Sequence, residues 1–256
     1  MERKLVEFLE RKVQEYNQPA FIPADPISIP HAYTLKQDIE IAGFFAALFA
    51  WGQRTTILQK SSQLLSWMGP SPHAFLLHHR SSDLQPFLQF RHRTFNATDV
   101  LYLIHFLQQH YQQHESLETA FSLGLSDRDS TTEQALNGFY RYCFQDPEAP
   151  QRTRKHIAAP MKQSTCKRLN MYLRWMVRDD QAGVDFGLWK QIKPHQLVMP
   201  IDLHVARVGR RFGLLTRKQT DWQAACELTD ILKRYDPADP VKYDFALFAL
   251  GVIEKF

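Results

Sequence analysis

Cysteine, glycine and long apolar runs are all scarce in this chain, and each scarcity narrows what it can be. Three cysteines, Cys143, Cys166 and Cys226, lie far apart, which fits neither a disulfide scaffold nor a four-thiolate metal or iron–sulfur site. No apolar stretch is long and uncharged enough to span a bilayer, and Met1-Glu2-Arg3-Lys4 leads straight into an amphipathic segment, unlike a signal peptide. A cytoplasmic protein with no membrane partner is therefore expected. Only ten of 256 residues are glycine, and no segment alternates apolar and polar residues as a half-buried strand does. No internal repeat is present. What remains is an all-α reading.

What is abundant is core material. Hydrophobic residues make up 44% and aromatic residues 12%, ample for one large domain or two lobes. Residues 2 to 16 place Leu5, Phe8, Leu9 and Val13 on one helix face. Prolines 19, 23, 26 and 30 exclude an α-helix from 19 to 31. Asp38 is a candidate cap for a deeply buried helix from Ile39 to Trp51, which gives way to the polar tip Gly52-Gln53-Arg54-Thr55-Thr56 and a helix from Ile57 to Trp67. Thr98 or Asp99 can cap a helix reaching about Tyr111. His110 and His114, at i and i+4, could share a metal, but no full ligand set accompanies them. Short helices follow through Ser116–Gly124 and around Ala135, Phe139 and Tyr142, and the last are expected over 221–235 and 243–253.

Charge is concentrated. Residues 151 to 180 hold eight cations (Arg152, Arg154, Lys155, Lys162, Lys167, Arg168, Arg174, Arg178) against Asp179 and Asp180, a net +6 beside +4 for the whole chain. Such a band suits an acidic partner. Within it Leu169, Tyr172, Leu173 and Met176 mark the packed face of a helix, while Lys167, Arg174 and Arg178 run along another. Lys167 stands near the start of that helix, a setting in which a lysine amine can act as a nucleophile and in which a lysine also simply contacts phosphate.

The most legible stretch is Pro200-Ile201-Asp202-Leu203-His204-Val205-Ala206-Arg207-Val208, continuing to Gly213. Pro200 bars a helix from upstream, Asp202 is a strong N-cap, and Gly213 is a stop. Val205, Val208 and Phe212 share one side, and Arg207, Arg210 and Arg211 another. Asp202 is either a structural cap alone or a capping aspartate that also serves chemistry. In the last helix Asp244 is an acid in an apolar run, on the side of Phe248.

Taken together these pieces resemble the helix-hairpin-helix base-excision DNA glycosylases, of the endonuclease III and archaeal 8-oxoguanine glycosylase kind, and a bacterial family of uncharacterised proteins akin to them. The Asp202 segment is similar to the glycosylase segment whose catalytic aspartate caps a helix, and Lys167 is similar to the Schiff-base lysine. Ala46 to Thr56 resembles the helix end where a glutamine fills the space left by a flipped base. The resemblance therefore implies Gln53 in that role and Trp51 beside it, with Asp244 and Phe248 lining the base pocket. DNA contacts are implied at Arg54, Arg154, Lys162, Ser164, Arg168, Arg174, Arg207, Arg210 and Arg211. Three features depart from the pattern of endonuclease III. Pro160 to Lys167 contains no glycine where a glycine-rich hairpin belongs, the 35-residue connection from Lys167 to Asp202 is longer and nearer the archaeal type, and the cysteine tail is missing.

The resemblance implies a two-lobed helical glycosylase fold with an interlobe cleft, one lobe of residues 1–35 with 203–256 and the other of residues 36–202. It implies a monomer acting on damaged duplex DNA, without metal or other cofactor, that removes a base, an oxidised purine by resemblance. Lys167 would then attack the sugar and allow strand nicking. The alternatives are a DNA- or RNA-binding protein of the same fold without chemistry, and a metal-dependent hydrolase using the histidines.

Overall fold

A computed structural model describes residues 2–256, and the described residues are helical throughout, with no strand beyond the isolated bridge between His92 and Phe95. The helices are α1 (Glu2–Tyr16), α2 (Lys36–Phe49), α3 (Arg54–Ser66), α4 (Pro72–His78), α5 (Ala97–Tyr111), α6 (Glu118–Ser122), α7 (Glu133–Cys143), α8 (Lys167–Val177), α9 (Leu203–Arg211), α10 (Trp222–Tyr235) and α11 (Tyr243–Val252). The proline-rich stretch after α1 is not irregular. It makes three 3-10 turns, each opened by a proline: Pro19–Ala24, Pro26–Ser28 and Pro30–Ala32. No described helix is long and apolar enough to cross a membrane.

The chain divides into two compact units. One comprises Met1–Ile22, Gly124–Asn137 and Ala158–Phe256, and the other Pro23–Leu123 and Gly138–Ile157. The boundaries differ from those expected at 35 and 202: residues 158–202 belong with the chain's ends.

The second unit is built on α2, where Phe44, Phe45, Leu48 and Phe49 are fully buried. Glu40 of α2, fully buried, accepts hydrogen bonds from the Tyr111 hydroxyl (2.8 Å), the Ser116 hydroxyl (2.5 Å) and the Leu117 amide (3.0 Å). A buried carboxylate needs such partners. Asp38 does not cap α2, whose N-cap is Leu35. Its carboxylate instead accepts from the Ser71 hydroxyl (3.0 Å) and the His73 amide (2.8 Å), fixing the start of α4. The cap of α5 is Asn96, two or three residues before the expected one, with Asp99 reaching back to the Asn96 amide at 2.9 Å as a capping box.

The first unit contains α1, α8, α9, α10 and α11. Helix α1 packs on α11, and α11 on α9. Leu9 and Val13 bury the apolar stripe of α1. Gly251 of α11 permits the close approach to α9, because a Cβ there would stand 3.1 Å from the His204 Cβ and 3.2 Å from its backbone carbonyl. That contact sits at the head of α9, next to Asp202.

Candidate functional site

The turn into α8 takes a left-handed path without glycine. After the 3-10 turn Pro160–Lys162, Gln163 has φ 58° and Cys166 φ 52°, conformations that side chains adopt reluctantly. Local bonds hold them: the Asn137 side chain accepts from the Met161 amide (2.9 Å), Ser164 Oγ accepts from the Cys166 amide (3.2 Å), and the Asn170 side-chain amide donates to the Thr165 carbonyl (3.0 Å). The turn before α8 thus carries two left-handed residues, three apart, and neither is glycine. Lys167 follows as the first residue of α8, half-buried, its Nζ 3.8 Å from the Met171 sulfur one turn on.

Asp202 caps α9 as its position predicts. Its Oδ1 accepts from the amides of His204 (2.9 Å) and Val205 (3.0 Å), and the residue is half-buried. Leu203 beside it is 77% exposed.

Asp244, on α11, is the third member. Its carboxylate receives Arg174 Nη1 at 2.5 Å. Arg174 also reaches Asp185 (3.2 Å), while Arg178, one turn on, holds Asp185 (2.5 Å), Asp180 (3.0 Å) and Asp239 (2.9 Å). Both guanidinium groups lie against the Phe245 ring, at 4.4 and 5.6 Å. Burial pushes the Asp244 carboxyl up to about 6; Arg174 and Lys167 oppose that rise and Asp202 adds to it. Asp185, wholly enclosed, is likewise raised by burial against the pull of Arg174 and Arg178.

Of the residues expected to face DNA, Arg174 is buried, while Lys162, Arg207 and Arg211 are exposed. Arg174 is 3% exposed and its charge is met by Asp185 and Asp244, so it holds the interior of this unit together. Arg210 donates to the carbonyls of Arg217 (3.0 Å) and Lys218 (2.8 Å), pinning the loop after α9. Arg207 donates to the Gly251 carbonyl (2.8 Å) at the end of α11, and Arg211 lies over Phe256 at 4.1 Å. Arg168 is half-buried, with desolvation lowering its pKa, and Lys162 is exposed. Phe248 is half-buried and meets Phe21 edge-on at 6.4 Å.

In the second unit Trp51 and Gln53 are exposed at the turn between α2 and α3. Gln53 is the N-cap of α3 and makes no side-chain capping bond. Arg54 Nη2 is 4.0 Å from the Asp25 carboxylate, and Arg154 packs over Phe144 at 4.9 Å. Both ring nitrogens of His110 are committed, Nε2–H donating to the Ser116 carbonyl (2.9 Å) and Nδ1 accepting from the Tyr142 hydroxyl (3.0 Å). Burial lowers that imidazole to about 4. No group of three or more His, Cys, Asp or Glu among the described residues is placed to hold a metal.

Sequence reasoning missed Asp185 and Asp239. Asp185 had one signal, a lone acid between Val184 and Phe186 in a segment bracketed by Gly183 and Gly187.

Fold and site together define an all-helical protein in which a lysine heading one helix and an aspartate capping another lie by a buried arginine–aspartate network. By sequence the chain belongs to the DUF2400 family, described as a protein of unknown function, whose profile matches residues 25–253. No curated protein and no solved structure matches it.

Proposed function

We propose that this protein is a DNA glycosylase with associated lyase activity, related to the helix-hairpin-helix enzymes it resembles. The observation that carries the reading is the convergence of the helices that Lys167, Asp202 and Asp244 occupy: Arg174 of α8 pairs with Asp244 of α11, and α11 crosses α9 at Gly251 against His204, beside the Asp202 cap. In this reading the target base of damaged DNA leaves its stack. The Lys167 amine attacks the sugar C1′ as the C1′–N bond to the base breaks, and the Asp202 carboxylate stabilises the positive charge that develops there. One amine proton leaves with the base, the other passes to O4′ as the C1′–O4′ bond breaks, and the Schiff base so formed permits loss of a C2′ proton with β-elimination of the 3′ phosphate. Water then returns the lysine. The substrate class is a damaged base, with oxidised purines tested first.

A second reading, DNA or RNA binding on the same fold without chemistry, is favoured by one observation: the Asp244 carboxylate is already occupied by Arg174 and needs rearrangement to hold a base. One experiment separates the two. Borohydride added during incubation with lesion-bearing duplexes reduces any imine to a stable amine, so the lyase reading expects protein joined to DNA through Lys167. Lys167→Gln abolishes the adduct but not binding, and Asp202→Asn, which still caps α9, slows excision by roughly a hundredfold, the scale on which a lost charge-stabilising group acts. Binding without an adduct on any lesion establishes the second reading. An adduct that survives in Lys167→Gln rules out the assigned nucleophile.

A further inference from the structure

The turn between α2 and α3 is locked to a second loop by bonds that serve no helix. At its start Ala50 has φ −67° and ψ 62°, and the Trp51 amide bends back to the Phe49 carbonyl at 2.6 Å. That same carbonyl accepts a hydrogen bond from His92 Nε2 at 2.9 Å, and His92 is buried. His92 closes a tight loop by pairing with Phe95 through both backbone bonds, 3.2 and 2.9 Å, which forces Arg93 into a left-handed conformation at φ 56°. The result is specific. The Arg93 guanidinium lies 4.7 Å over the Trp51 ring, and its side chain crosses Gly52, whose φ of 109° only glycine adopts readily.

This arrangement holds an indole in solvent. Trp51 is 41% exposed, with Gly52, Gln53, Arg91, Arg93 and Thr94 exposed around it. Phe49, Phe90 and Phe95 are buried nearby, Phe90 stacked on Phe49 and Phe95 edge-on to it, each at 5.1 Å, so the core does not need Trp51. No carboxylate pairs with Arg91 or Arg93 among the described residues. An exposed aromatic ring held rigidly among unneutralised arginines has the chemistry of a base-stacking platform: the ring takes the π-face of a base and the cations take phosphate.

We propose that Trp51 and Arg93 form a stacking site for an unpaired base of single-stranded DNA, with Arg91 on the adjoining phosphate. The site does not rest on the lysine chemistry, since it lies in the other unit and asks nothing of Lys167.

The test uses the full-length protein and a labelled oligothymidylate of about ten nucleotides, within the span one such surface occupies. Anisotropy gives affinity, and circular dichroism verifies that each variant is folded. Trp51→Ala is expected to weaken binding about tenfold, the scale of one lost base–aromatic stack. Trp51→Phe keeps a ring and stays within about threefold of the parent, and Arg93→Ala falls between. A blunt duplex of equal length, which offers no unpaired base, binds Trp51→Ala and parent alike. The loss in Trp51→Ala is expected whether or not any lesion gives an adduct. Unchanged affinity in Trp51→Ala, equal loss on duplex and single strand, or tighter binding of oligouridylate than oligothymidylate each overturns the proposal.

Discussion

At the scale of single residues, Asp244 is the most informative group. It lies where Coulomb forces compete with desolvation, and desolvation prevails: the carboxyl titrates near 6 despite an arginine at 2.5 Å. A folded-state value above the ordinary 3.8 means that the fold favours the protonated form. Its contribution to stability is therefore fully present below about pH 4 and is lost as pH rises through about 6. Carbon-13 carboxyl titration is expected to show one aspartate with a midpoint near 6 that disappears in Asp244→Asn. In Arg174→Met, where the opposing cation is gone, the midpoint moves higher. A midpoint at or below the ordinary value would mean that the ion pair, not burial, governs the group. The same network explains what local reading could not see. Lys167, Arg174 and Arg178 form a cationic stripe on α8, and a periodicity window cannot tell a solvated stripe from a buried one. The deciding partners, Asp239 and Asp244, stand 61 and 70 residues away.

At the scale of elements, what was legible depended on whether the signal was local. The Asp202 cap, the start of α8 near Lys167 and the amphipathic α1 follow from residues within one or two turns, and all appear where expected. The caps of α2 and α5 did not follow. Asp38 is drawn off to the head of α4, and Asn96 wins over Thr98 because Asp99 can then answer its amide. The turn before α8, which has no glycine, holds its two left-handed residues with side-chain bonds from Asn137, Ser164 and Asn170. Glycine matters instead at the crossing of α11 and α9. Gly251→Ala must displace the backbone of His204 by a few tenths of an ångström, and with it Asp202. Overpacking outweighs the better helix propensity of alanine, for a net loss of about 1–2 kcal/mol. Gly209→Ala is the control, because its Cβ meets only ordinary contacts at 3.5 and 3.6 Å. Urea midpoints should fall for the first and hold or rise for the second. Equal behaviour would mean that the α9–α11 crossing does not fix the Asp202 cap.

At the scale of the whole molecule, the charge that reaches solvent differs from the charge in the sequence. Arg174 and Arg178, a quarter of the cations between residues 151 and 180, are buried among aspartates. The cations left exposed include Lys155 in one unit and Lys162, Arg207, Arg211 and Lys218 in the other. Under the nucleic-acid reading these exposed groups, not the buried ones, displace counterions from DNA. A protein touching roughly five phosphates gives a slope of log K against log salt of about −4. Lys162→Ala and Arg211→Ala should each make that slope shallower by about one, and should do so equally on every duplex sequence, because phosphate contacts carry no sequence information. Trp51→Ala should leave the duplex slope unchanged, since stacking releases no counterions. Duplex binding that ignores salt, or a slope unmoved by either cation variant, would place the acidic partner of these groups outside nucleic acid altogether.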